Sequence, residues 1–183
     1  QEKCAVIGCG FVGAGIAYTY AESGLFSEMV LIDVNRKKAE GEALDIGHGL
    51  PFLAPMRITA GDYEEIADAG LIVIAAGANQ KPGESRLELL SKNLRIFDGI
   101  IENIVRVNRE AILLVVTNPV DLLTYYTLKK SGYPPERVIG SGTVLDTARL
   151  KSLIGAELSV DPRNVHAFIV GEHGDSEVPV FSS

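Results

Sequence analysis

Gly8-Cys9-Gly10-Phe11-Val12-Gly13 follows an apolar run, Cys4 to Ile7, and opens a segment of helical spacing, Val12 to Ser23. A glycine-rich turn between a buried strand and a helix is where a dinucleotide pyrophosphate sits. The three glycines have separate tasks. The first permits the tight turn, the second removes the Cβ that would block the pyrophosphate, and the third lets helix and strand pack closely. Asp33 closes the next apolar run, Met29 to Ile32, 20 residues past Gly13. There its carboxylate accepts hydrogen bonds from an adenosine ribose 2′-hydroxyl and repels a 2′-phosphate, which favours NAD over NADP. A flavin is the main alternative cofactor. The competing explanation is a turn that only packs helix on strand, with Asp33 capping the next segment. Spacing and context together argue against it.

Outward from this turn, apolar runs of strand length recur at Leu71 to Ala76, Ile112 to Val116 and Val138 to Ile139, each bounded by Gly, Pro, Asn or Asp. Runs apolar at every position read as strands buried on both faces of a parallel sheet. Between them lie segments with helical spacing: Lys37 to Ile46, Leu87 to Asn108 and Leu122 to Ser131. The alternation predicts an α/β fold with a doubly wound parallel sheet of the Rossmann kind and a ligand crevice at the carboxyl ends of its strands. The pattern changes after Gly140, with a helix from Leu145 to Ile154 and a strand-like Val165 to Val170. Residues 1–140 are expected to form the nucleotide-binding domain and 141–183 to begin an α+β catalytic domain.

Composition narrows the class. The 183 residues carry 17 Lys plus Arg against 24 Asp plus Glu, a net charge of −7. Bulk charge therefore argues against a nucleic-acid binder. With 46% hydrophobic and 22% charged residues, the chain has the makings of a packed core and not of disorder. Its longest apolar stretch, Ala69 to Ala78, falls far short of the roughly 20 residues a membrane span needs, and its start does not resemble a signal peptide. A cytoplasmic protein without a membrane partner is expected. Cys4 and Cys9, read as one extended strand, would lie roughly 16 Å apart, too far to bridge. Two thiols without a matching His cluster also make a poor metal site, so no metal is expected. The chain closes just after an apolar segment, at Phe181-Ser182-Ser183, which suggests a piece of something longer.

Four further constellations carry chemistry. Gly77-Ala78-Asn79-Gln80-Lys81-Pro82-Gly83-Glu84-Ser85-Arg86 is a polar loop after an apolar strand and reads as a lid at the crevice. Asn118-Pro119 offers an amide at the same edge, or merely ends a strand. Asp146 and Arg149, three apart on a helix, share a face and by themselves suggest a surface ion pair. In Gly171-Glu172-His173-Gly174-Asp175 the flanking glycines leave the imidazole unobstructed, although a lone His in a turn is usually only solvated. Beside a dinucleotide site, an acid, an imidazole, two arginines and an amide describe hydride transfer at a carbonyl with a neighbouring carboxylate.

The motifs GCGFVG at 8–13, Asp33, GANQKPGESR at 77–86, VTNPVD at 116–121, SGTVLDTARL at 141–150 and GEHGDSEVP at 171–179 together resemble the lactate and malate dehydrogenase family, along the whole chain and most closely its bacterial L-lactate-type members. The resemblance implies roles. His173 would be the general acid in carbonyl reduction and the base in the reverse direction. Asp146 would orient the ring and favour its protonated form. Arg149 would grip the substrate carboxylate through two parallel hydrogen bonds, a geometry Lys cannot reproduce. Arg86, brought in as the loop closes, would polarise the carbonyl oxygen, and Asn118 would hydrogen-bond beside it. The family's peptide bond before Pro119 is typically cis. The implied cofactor contacts are Gly8, Gly10, Phe11, Val12, Gly13, Asp33, Ala76, Gly77, Ala78 and Asn118.

Gln80 separates two branches of the family by resemblance. Malate dehydrogenases carry Arg there to meet the second carboxylate of oxaloacetate. A neutral Gln would leave that charge unpaired at a cost of about 3–5 kcal/mol, or roughly 10² to 10⁴ in selectivity. Pyruvate and L-lactate are therefore the expected substrates, with a malate or other L-2-hydroxyacid dehydrogenase as the runner-up. A nucleotide-binding module that has lost catalysis is the alternative of a different class; the shared presence of His173, Asp146, Arg149, Arg86 and Asn118 favours the enzyme. His166 matches a histidine that binds fructose 1,6-bisphosphate between subunits in allosteric relatives, with Lys151 where Arg is more usual. The resemblance thus implies fructose 1,6-bisphosphate as an effector. Relatives form dimers or tetramers, so a homo-oligomer is expected. His48 reads as a structural or interface residue. The family continues beyond GEHGD with most of its catalytic domain, and this chain departs from it by lacking that part.

Overall fold

The computed structural model describes residues 2–78 and 83–181, with Arg86 described by its backbone alone. The elements run β1 (Lys3–Ile7), α1 (Phe11–Ser23), β2 (Glu28–Ile32), α2 (Arg36–Gly49), β3 (Arg57–Ala60), β4 (Leu71–Ile74), α3 (Arg86–Val107), β5 (Ile112–Val115), α4 (Val120–Ser131), β6 (Val138–Gly140), α5 (Val144–Leu158), β7 (Ala167–Val170) and β8 (Val178–Phe181). The first six strands form one parallel sheet in the order β3-β2-β1-β4-β5-β6, the arrangement of a doubly wound nucleotide-binding fold. The chain winds outward from β1 to β3, then crosses back to β4. The switch point therefore lies between β1 and β4.

Register brings the carboxyl ends of the strands level. Ile7 is paired with Ile32 on one side and Ile74 on the other, Ile74 with Val115, and Val115 with Gly140. The residues that follow these positions, Gly8, Asp33, Ala75 and Val116, consequently line one edge. Side chains alternate between the sheet's faces. Cys4 and Val6 join Met29 and Leu31 under Ala17, Ala21, Ala39 and Ala43 of α1 and α2. Ala5 and Ile7 join Ile72 and Ile74 under Phe97, Ile101 and Ile104 of α3 and Leu123 of α4. Burial on both faces explains why these strands are apolar at every position.

Two strands have weaker sequence signals. β3 is an edge strand, half exposed, whose Arg57 pairs with Glu28 at 2.5 Å. β8 contains Pro179 and pairs antiparallel with β7. β3 does not read as an apolar run because it is not covered on both sides, and in β8 Pro179 interrupts the apolar segment that ends at Phe181. The expected single strand spanning Cys4 and Cys9 also needs correction: β1 stops at Ile7, and Cys9 lies in the glycine turn. Both thiols are free and buried.

Two local devices position the edge. Ser85 caps α3: its hydroxyl accepts the Glu88 N–H at 3.2 Å, and the Glu88 carboxylate accepts the Ser85 N–H at 2.8 Å. This reciprocal box makes Arg86 the first residue of the helix. The second device ties β7 to α5. The Thr143 hydroxyl donates to the Ile169 carbonyl at 2.7 Å, and the Ile169 N–H donates to the Thr147 hydroxyl at 2.9 Å.

Candidate active site

Each glycine of the first turn meets a different physical demand. Gly8 has φ +97°, and a Cβ there would lie 2.5 Å from the backbone of Ala76. A Cβ on Gly13 would come within 1.7 Å of the Gly8 carbonyl oxygen. Gly10 differs, since nothing lies within 4 Å of its would-be Cβ. The space above Gly10 is open, while the glycines on either side are locked by backbone. Gly10 also N-caps α1 without a side-chain acceptor, which leaves first-turn N–H groups to an anion. Phe11 and Val12 are exposed at the rim, as is Val34 beside Asp33.

Asp33 holds this turn together. One carboxylate oxygen accepts the Cys9 N–H at 2.7 Å, and the other accepts the Asn35 N–H at 2.8 Å. The carboxylate thus bridges the turn after β1 and the start of the segment after β2. An ionised oxygen has more than one lone pair, so these bonds leave acceptor capacity for a ribose hydroxyl. An open cradle, a free helix N-terminus and a fixed carboxylate suit a dinucleotide.

Across the switch point, Ala76, Gly77 and Ala78 follow β4, and Asn118 follows β5. A Cβ on Gly77 would meet the Thr117 methyl at 2.5 Å, and the Thr117 hydroxyl donates to the Ala76 carbonyl at 2.8 Å. Asn93 of α3, only 1% exposed, joins the two loops. Its Oδ1 accepts the Ala78 N–H at 2.8 Å, and its Nδ2 donates to the Asn118 carbonyl at 3.0 Å. The Asn118-Pro119 peptide is cis.

The charged residues converge at the same end of the fold. Nδ1 of His173 lies 2.5 Å from Oδ2 of Asp146, whose other oxygen is 3.4 Å from the Arg149 guanidinium. Asp146 is 10% exposed and Arg149 63% exposed. The pair is therefore not the surface ion pair that spacing alone suggests. The acid is turned inward onto the imidazole, and the guanidinium is left facing outward, available to an anion. The His173 main chain is held as well, because its N–H donates to Oδ2 of Asp121 in the first turn of α4 at 2.8 Å. Asp146, His173 and Glu177 also bring ligand-type atoms within 4.8 Å of one another. The hydrogen bond between His173 and Asp146 already engages two of these groups.

Profiles of known families match nearly all of this architecture. The lactate/malate dehydrogenase NAD binding domain matches residues 2–140, and the alpha/beta C-terminal domain of the same family matches residues 143–183. The chain belongs to the lactate/malate dehydrogenase family. Among curated relatives of the family, the L-lactate dehydrogenase of Acetivibrio thermocellus is 56% identical over 181 residues, and that of Priestia megaterium 57% over 181. Each alignment covers 99% of this chain and 57% of the relative. A lactate dehydrogenase from a Medee basin deep-sea metagenome library has a similar structure, with TM-score 0.94 and 51% identity over 98% of this chain and 57% of that one. The minor L-lactate dehydrogenase of Enterococcus mundtii superposes with TM-score 0.95 at 47% identity, over 97% of this chain and 57% of that one. The chain thus spans a little over half the length of these family members.

Gln80 lies outside the described residues. Arg86 begins α3. The Lys151 ammonium sits 4.9 Å from the centroid of the Phe168 ring, two residues beyond His166. His48 lies in the last turn of α2. Asn93, Asp121, Thr143 and Thr147 escaped the sequence reading because each acts on main-chain atoms, which carry no residue-type signal. No described helix is long and apolar enough to cross a membrane.

Proposed function

We propose that the chain carries the cofactor site and the charged catalytic residues of an NAD-dependent L-lactate dehydrogenase, which interconverts pyruvate and L-lactate. The observation that carries this reading is the 2.5 Å contact between His173 and Asp146, with Arg149 on the same carboxylate. NADH, when bound, supplies the hydride that reduces the carbonyl carbon. His173, protonated, donates its Nε2 proton to the carbonyl oxygen, and in the reverse direction takes the hydroxyl proton. Asp146 at Nδ1 fixes the ring's orientation and directs Nε2 toward substrate. Arg149 binds the substrate carboxylate as a bidentate pair. The Asn118 amide and the Arg86 guanidinium stabilise negative charge developing on the carbonyl oxygen.

In this reading residues 1–140 bind the nucleotide and 141–183 open the substrate domain. Gln80 provides the neutral lining that admits a methyl group and rejects a second carboxylate. Gly8, Gly10, Phe11, Val12, Gly13 and Asp33 take the adenosine and pyrophosphate, while Ala76, Gly77, Ala78 and Asn118 line the nicotinamide side. The enzyme is cytoplasmic and works as a homo-oligomer, a tetramer by family habit, and His166 with Lys151 offers positive charge to fructose 1,6-bisphosphate. The test is NADH oxidation, followed by absorbance, with pyruvate and oxaloacetate offered separately. A strong preference for pyruvate is expected. Preference for oxaloacetate would replace this reading with a malate dehydrogenase.

A further inference from the structure

The turn between β7 and β8 carries a carboxylate that the proposed chemistry leaves unused. Glu177 follows His173 in that turn, and its N–H donates to the Gly174 carbonyl at 3.2 Å, which folds the chain back on itself. The fold is tight: Gly171 has φ +98°, and a Cβ built on it would lie 3.9 Å from the Glu177 Cα. The nearby Glu172 carboxylate accepts the Ser176 hydroxyl at 3.2 Å. The Glu177 carboxylate has no hydrogen-bond or ion-pair partner among the described residues. It is half-buried, as are Asp146 and His173, and the three present ligand-type atoms within 4.8 Å of one another.

We propose that His173, Asp146 and Glu177 form a binding site for a divalent transition-metal ion of the zinc type, and that the ion and the catalytic proton exclude one another at His173. The donor set selects the ion. One imidazole nitrogen with two carboxylate oxygens suits Zn²⁺, whereas Mg²⁺ and Ca²⁺ take oxygen throughout. Three protein donors leave the fourth tetrahedral position open to water or a small carboxylate. Bonds of about 2.1 Å space tetrahedral donors about 3.4 Å apart, so donors within 4.8 Å have to close by about 1.4 Å at most. Rotation of the unpartnered Glu177 side chain supplies that movement. Where Nδ1 is the ligand, its 2.5 Å contact with Oδ2 of Asp146 opens by about 0.9 Å as the ion replaces the shared proton. The two sides of the site belong to α5 and to the β7–β8 turn, which the Thr143 and Thr147 bonds to Ile169 hold together. Arg149, the cation beside Asp146, is 63% exposed, so water screens its opposition to a bound ion. The expectation of no metal weighed the two cysteines, and neither takes part here. A metal-bound imidazole is neutral, and binding releases its proton to solvent. His173 carrying an ion therefore has no proton to give a carbonyl oxygen, and the consequence for the proposed reaction is reversible inhibition.

The binding arm of the test does not depend on the lactate dehydrogenase reading. Titration calorimetry with ZnCl₂ in a non-coordinating buffer should find a single ion bound per chain. Imidazole ¹⁵N spectra should show the His173 ring shifted by Zn²⁺, with His48 and His166 unmoved. Glu177→Gln should weaken the affinity about tenfold or more, at least the loss that follows removal of a group that merely supports a metal ligand. His173→Asn should abolish binding, and His166→Gln should leave it unchanged. A His173 ring unmoved by Zn²⁺ overturns the proposal, as does an affinity that Glu177→Gln does not alter. The kinetic arm rests on the functional reading. Zn²⁺ should inhibit pyruvate reduction until EDTA removes it, and Glu177→Gln should need about tenfold more Zn²⁺ for half-inhibition, each chain measured against its own metal-free rate. Turnover that saturating Zn²⁺ leaves intact overturns the proposal. If the parent chain fails to reduce pyruvate, the functional reading fails by itself, and calorimetry with the imidazole spectra still decides the metal site.

Discussion

Oδ2 of Asp146 lies 2.5 Å from Nδ1 of His173, joining the first turn of α5 to the turn after β7. A carboxylate at Nδ1 leaves the opposite nitrogen to face substrate, which is the geometry a proton donor to a carbonyl oxygen needs. Asp146→Asn keeps the shape and removes the charge. The expected result in steady-state pyruvate reduction is a fall in kcat of about 10² or more, within the range positioned acid–base catalysis contributes. NADH affinity, measured by fluorescence titration, should not change.

The three glycines of the first turn should separate stability from binding. Alanine at Gly8 or Gly13 drives a Cβ into backbone at 2.5 Å or 1.7 Å, so thermal unfolding should show losses of at least the roughly 1–3 kcal/mol typical of overpacking. Alanine at Gly10 meets open space. That variant should unfold at the parent temperature yet bind NADH at least tenfold more weakly, because the methyl occupies the pyrophosphate's place.

Much of this architecture was legible from residue type alone, for a physical reason. β1, β2, β4 and β5 are covered on both faces and so advertise themselves as unbroken apolar runs, and their ends place Gly8 to Gly13 and Asp33 at one edge. β3 is covered less completely and left no such trace. In the site, Asp146 and Arg149 could be assigned to one helix face, but spacing could not show that Asp146 turns inward to His173. Asn93 and Asp121 were illegible because their partners are the backbone groups of Ala78, Asn118 and His173, 15 to 52 positions away. A main-chain donor or acceptor looks the same at every residue.

Asn93 offers a direct check on that point. Asn93→Ala leaves the Ala78 N–H and the Asn118 carbonyl without their side-chain partner in a nearly closed environment. Each buried polar group so abandoned costs about 1–3 kcal/mol. Urea unfolding should show a loss of that order, and kcat should fall with it because Asn118 is no longer tethered to α3.

The cysteines should be inert in the native state. Burial pushes both thiols up to about 12, with the negative charges of Asp33 and Glu42 adding to the effect at Cys9. Thiolate is the reactive form, so at pH 8 about one thiol in 10⁴ is ionised. Reactivity should rise only as the pH climbs toward 12. Mass spectrometry after iodoacetamide treatment at pH 8 should find neither Cys4 nor Cys9 modified in the folded chain, and both modified in denaturant. Rapid native labelling of Cys9 would show that the glycine turn is open to solvent.

The central claim is that this edge of the sheet reduces a 2-keto acid with one carboxylate. NADH oxidation by the purified chain, with pyruvate and oxaloacetate compared at equal concentration, tests it most directly. The account predicts turnover with pyruvate favoured by roughly 10² or more, the selectivity expected from an unpaired second carboxylate. Preference for oxaloacetate, or no turnover with either acid while NADH still binds, would contradict it.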